Sequence, residues 1–88
     1  MDVLRHEDFA PHVNKRFRFE GWHGALRLVE IVGGPDRPFT LLFCGPVAAV
    51  LPEGLYTATV DDAQCFDFYI MPIHTPASGR QDYQAVFN

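Results

Sequence analysis

Positive charge is scarce in this chain: seven Lys and Arg stand against eleven Asp and Glu, for a net charge of −4. The shortage is local. Residues 45–88 carry Arg80 as their one Lys or Arg beside five acids, whereas residues 1–44 carry six of each sign. A phosphate backbone or an anionic bilayer needs a broad basic footprint, so no nucleic acid and no membrane is expected as a partner. No apolar run approaches the ~18–20 residues of a membrane span. The start, Met1-Asp2-Val3-Leu4-Arg5-His6-Glu7, lacks the basic and then apolar regions of a signal peptide, which makes a cytoplasmic protein the expectation. There are two cysteines, and neither compartment nor spacing indicates a Cys44–Cys65 disulfide. Linkers, low-complexity tracts and repeats are missing too, and 88 residues leave room for one domain, residues 1–88.

What the chain does have is apolar content (48%), aromatics (14%) and regularly spaced turn formers. Glu20-Gly21-Trp22-His23-Gly24, Gly33-Gly34-Pro35-Asp36, Gly45-Pro46, Pro52-Glu53-Gly54, Asp61-Asp62 and Pro76-Ala77-Ser78-Gly79 interrupt it about every ten residues, the rhythm of an all-β domain. Between them the apolar residues alternate. Phe17 and Phe19 oppose Arg16 and Arg18; Tyr56, Ala58 and Val60 oppose Thr57 and Thr59; Phe66, Phe68 and Ile70 oppose Asp67 and Tyr69; Tyr83, Ala85 and Phe87 oppose Gln84 and Val86. Period two means strands with one buried face.

Two segments break the pattern. Phe39-Thr40-Leu41-Leu42-Phe43-Cys44 is apolar on both faces, as in a central or doubly covered strand. From Ala25 to Val32 the phase changes: a helix can be drawn through Ala25, Leu28, Val29 and Val32, but the β-branched residues favour a strand in which a β-bulge near Leu28 would restore consistent burial. Residues 4–13 are the one helical candidate, limited by Pro11 to a turn or two. As a cover segment over residues 3–13 they would close an open end or edge. The expectation is all-β: about six antiparallel strands in a small barrel or a two-sheet sandwich, with a short N-terminal helical segment.

Chemistry-bearing patterns are weak. His6, His12, His23 and His74 lack the close pairing of a metal site, so no metal and no cofactor is expected. A metal-dependent enzyme using His6, His12 or His74 ranks third among the readings. Cys44 lies in the most apolar strand, and Cys65 sits beside Asp67, whose charge opposes thiolate formation. No catalytic residue is assigned. Trp22-His23 occupies a loop tip between two glycines, where Trp22 either folds back over the end of the sheet or anchors a partner. Arg16 and Arg18, with Arg27, supply a small positive patch suited to an acidic partner surface.

Several phrases together resemble a known group. They are Phe9-Ala10-Pro11-His12-Val13-Asn14 followed by Phe17, Phe39-Thr40-Leu41-Leu42-Phe43 with Gly45-Pro46, and Leu51-Pro52-Glu53-Gly54-Leu55-Tyr56. Phe68-Tyr69-Ile70-Met71-Pro72 and the ending Asp82-Tyr83-Gln84-Ala85-Val86-Phe87-Asn88 complete the set. The chain resembles the uncharacterised small bacterial β domains met beside genes for phage tail-collar-type (microcystin-dependent-like) proteins. Members of that group tend to carry Gln at Glu53, Glu at Gln84, and a His-containing stretch where Asp61-Asp62 stands here. The resemblance implies a single β domain linked to tail-like assemblies and no catalytic residue. The phrases themselves are core and turn residues; Pro72, for instance, is expected to end a strand.

The leading expectation is a non-enzymatic accessory or interaction domain that binds or helps assemble a tail-fibre or collar-like protein. Its contacts would be Trp22, His23, Arg16, Arg18, His74 and Arg80, the last two within the loop 74–81. A weak homodimer through an exposed edge strand is a further expected partner. The alternative is a small-ligand-binding β-barrel with a pocket at one end.

Overall fold

Alternation becomes six strands in the computed structural model, which describes residues 3–75 and 79–88. They are β1 (Arg16–Phe19), β2 (Ala25–Val32), β3 (Phe39–Gly45), β4 (Gly54–Val60), β5 (Gln64–Ile73) and β6 (Gln81–Phe87). All pairings are antiparallel, and the sheet closes in the order β1-β2-β3-β6-β5-β4, with β4 returning to β1. The fold is therefore a barrel and not a sandwich. Closure pairs each strand with a neighbour on both sides over at least part of its length.

The phase change in β2 is a bulge: Leu28 pairs with Phe43 and Glu30 with Leu42, leaving Val29 as the extra residue. Leu26, Leu28 and Ile31 thereby all face inward. β3 is not doubly covered. Its residues Phe39, Leu41 and Phe43 fill the barrel, while Thr40, Leu42 and Cys44 lie half-buried on the outer surface. Among the described residues no second layer of secondary structure covers them. Cys44 and Cys65 are free thiols on strands that do not pair.

β5 is shared between two partners. Its residues 64–70 pair with β4, and its residues 71–73 pair with β6. Pro72 does not end the strand; it sits where the β4 ladder has stopped, at Gly54 and Ile70. A residue without an N–H is tolerated there because no donor is required of it on the β4 side. The ladder between β5 and β6 is consequently short, and the two strands are unpaired along 64–70 and 85–87.

The amino-terminal segment covers that stretch. α1 (His6–Phe9) is one turn long and runs into a 3-10 turn over Ala10–His12. The Arg5 N–H donates to Asp8 Oδ2 at 2.8 Å and so caps the turn's start. Phe9, fully buried, reaches the rings of Phe66, Phe87, Phe68 and Phe39 at centroid distances of 4.8, 5.4, 5.8 and 6.2 Å. Tilted and edge-on aromatic contacts of this kind add to what area burial contributes. Asn14, at φ 75°, turns the chain into β1, and its N–H donates to the Leu28 carbonyl at 2.6 Å.

The opposite end is closed by the connection 46–53, which crosses from β3 to β4. Leu51 is its buried plug, and its N–H donates to the Tyr83 hydroxyl at 2.9 Å. Desolvation pushes the Tyr83 phenol above its ordinary pKa, against the smaller opposing effect of the Leu51 N–H, so the hydroxyl stays protonated at neutral pH.

Replacing Phe9 by Ala should cost about 3–5 kcal/mol in a urea titration, and Phe9→Leu less than half of that. Tyr83→Phe removes one oxygen from a filled core and strands the Leu51 N–H. The expected loss is about 1–3 kcal/mol in the same assay.

Candidate protein-interaction groove

β1 has four residues, and its outer face is the floor of an open groove of about 750 Å³. Arg16 and Arg18 point outward from it because Phe17 and Phe19 are fully committed to the core. On one side Arg16 stands opposite Arg27, and Arg18 opposite Ala25; on the other, Arg18 faces Thr59 of β4. At Arg18 the neighbours on both flanks are small.

Trp22 and His23 make one end of this groove. Gly21, at φ 84°, turns the chain after β1, and the Trp22 N–H donates to the Phe19 carbonyl at 3.0 Å. The indole folds back and packs partly buried against the core. Gly24 permits this, since a Cβ there would sit 2.7 Å from the ring. His23 stays exposed beside it.

The other end is made by Lys15, Asp61 and Asp62. Both aspartates have positive φ, 57° and 56°, the pair that a type I′ turn requires, and the Ala63 N–H donates to the Val60 carbonyl across them at 3.3 Å. Lys15 Nζ donates to Asp61 Oδ2 at 2.7 Å. His12 Nδ1, buried and without a hydrogen-bond partner, lies 3.8 Å from the same oxygen. The Lys15 hydrogen bond, outweighing slight desolvation and helped by the Lys15 and His12 charges, holds the Asp61 carboxyl below the usual carboxylate value.

The arginines are different. Arg27 donates to Asn14 Oδ1 at 3.3 Å and approaches Cys44 Sγ at 3.7 Å. Among the described residues, no carboxylate oxygen lies within 4 Å of Arg16, Arg18 or Arg27. Arg16 and Arg27 face each other directly, an arrangement that is unfavourable unless an anion intervenes.

Four of the six residues singled out from sequence thus meet in one groove. The other two do not. His74 and Arg80 flank the β5–β6 connection, on the barrel wall away from β1, and Arg80 is paired with Asp82 at 3.0 Å. Part of the loop 74–81, and the turn former at 76–78 with it, lies outside the described residues, as do Met1 and Asp2. Lys15, Thr59 and the aspartate turn were not anticipated as groove residues; the long-range pairing of β1 with β4 brings Thr59 and the aspartate turn there, beside Lys15.

The histidines do not converge. His6 stacks edge-on to Phe39, His12 packs between Phe17 and Phe66, and His74 is exposed at the other end. Among the described residues, no group of three or more His, Cys, Asp or Glu is placed to hold a metal ion. A second open groove, of about 700 Å³, lies between residues 3–7 and the β2–β3 turn, with Arg5, Arg37, Phe39 and Phe87 in its lining.

The Asp61 contact has a pH signature. Its folded-state pKa is depressed, so the stabilisation is complete above the unfolded value and is lost as pH falls through the folded one. The melting temperature of the native chain should exceed that of Asp61→Asn near neutrality. Below about pH 5 it should fall more steeply, and the two should converge at the acid end.

No helix among the described residues is long and apolar enough to cross a membrane. Comparison with curated proteins and with solved structures finds no match to this chain. A family model, that of a domain of unknown function, DUF6916, matches residues 4–87 and so spans the cover segment and all six strands. The chain belongs to this family of domains of unknown function.

Proposed function

We propose that this chain is a non-enzymatic interaction domain whose docking face is the groove over β1, and that its partner is a tail-fibre or collar-like protein. One observation carries the docking face: Arg16, Arg18, Trp22 and His23 line a single groove whose arginines pair with no acid among the described residues. The tail-like partner is supported by the sequence phrases quoted above. The barrel interior favours surface recognition over a ligand held within. It is filled by Phe17, Phe19, Phe43, Phe68, Leu41 and Tyr83, as expected of so small a barrel. A second reading, a small ligand at the barrel end, is favoured by the open groove beside Arg5 and Arg37.

Tagged full-length protein used as bait in the native host, with mass-spectrometric readout, tests the first reading. Capture of one stoichiometric collar-like protein is expected, reduced several-fold by Arg18→Gln and by Trp22→Ala. Trp22 packs against the core, so thermal melts must accompany its variant; Arg18 faces solvent, and its variant should melt within about 0.5 kcal/mol of the native chain. Recovery of bait alone would sink this reading, and a mass excess under native ionisation would favour the second.

A further inference from the structure

We infer that the β1 groove accepts an extended acidic segment of a protein partner, with carboxylates at alternate positions (Asp/Glu-x-Asp/Glu). The inference rests on the groove being the docking face, and it adds the chemistry and spacing of what is docked. Arg16 and Arg18 are two residues apart on one strand and share its outer face. Same-face positions on a strand repeat at about 6.5–7 Å, and an extended peptide lying along β1 repeats at the same distance. Two alternate carboxylates then meet two guanidiniums in register, each able to accept a forked pair of N–H donors. A third guanidinium, Arg27, flanks Arg16 and adds to the field there.

The two ends of the groove limit what can continue beyond that pair of charges. At one end Asp62 is exposed beside Asp61, whose charge Lys15 already meets. A nucleic-acid strand, with a negative phosphate at every unit, would run its charge over this turn. A peptide bearing two carboxylates need not. At the other end Trp22 and His23 offer an indole edge and an imidazole to a partner's apolar residue. The segment it accepts is therefore directional: neutral or basic toward Asp62, acidic over β1, apolar toward Trp22.

Trp22 is the chain's one tryptophan, so its emission reports occupancy of the groove. The full-length protein is titrated with synthetic twelve-residue peptides of identical composition, two glutamates being placed one residue apart, adjacent, or four apart in a helix-forming sequence. A single-stranded oligonucleotide serves as a fourth probe. The alternate peptide should bind most tightly. Its affinity should fall about fivefold with either Arg16→Gln or Arg18→Gln, and should weaken as salt rises. Both variants are expected to keep the native melting temperature, since both guanidiniums face solvent.

Equal binding of the alternate and adjacent peptides would overturn the spacing. Tighter binding of the helical peptide would overturn the extended conformation, and tighter binding of the oligonucleotide the choice of a protein segment. If no acidic peptide binds while host capture still depends on Arg18, the inference fails and the docking face survives. If both depend on nothing in the groove, both fail.

Discussion

A strand that serves two partners imposes the constraint around which this barrel is organised. β5 pairs with β4 along one stretch and with β6 along the next, so hydrogen bonding alone cannot close the wall between β5 and β6. Phe9 closes it from inside, through contact with rings on β3, β5 and β6. A one-turn helix would be marginal in isolation, and its persistence here comes from the burial of that single ring. The cover segment is thus part of the wall, and its position in turn fixes Asn14 and Lys15 at the mouth of β1.

The surface consequences follow from the same closure. Return of β4 to β1 sets the Asp61-Asp62 turn beside Lys15, which uses up one acid and one base at the groove's end. Arg16, Arg18 and Arg27 are left together on a chain that is acidic as a whole. Such a patch contributes little to folding, because solvent-exposed charges are well screened.

Much of this was legible in the residues. Alternation located β1, β4, β5 and β6, the change of phase in β2 marked its bulge, and Pro11 bounded the helical turn. Apolar content on both faces of β3 marked a strand paired on both sides, as it is, and misled only as to a covering layer, since Leu42 and Cys44 sit half-buried without one. Pro72 misled for a related reason: its missing N–H ends a ladder, and a strand with a second partner outlives the ladder. The barrel, against the sandwich, depended on which distant strands meet, and alternation carries no such information. The same gap explains the site. Arg16 and Arg18 announced themselves by pointing outward, and Trp22 by its glycine neighbours, but the adjacency of Lys15 to Asp61 is a product of closure.

The place of β6 has an implication for how the chain reaches this state. It lies between β3 and β5, pairing along its whole length with the first and over a short stretch with the second. Before it docks, both neighbours present unsatisfied backbone along one side, and the rings of Phe39, Phe43 and Phe68 lack the cover of Tyr83 and Phe87. Contacts between such remote parts of a sequence form slowly, and exposed strand edges invite association with other chains while they wait. Without β6, then, β3 and β5 keep open edges, a form prone to association with other chains and not a smaller barrel.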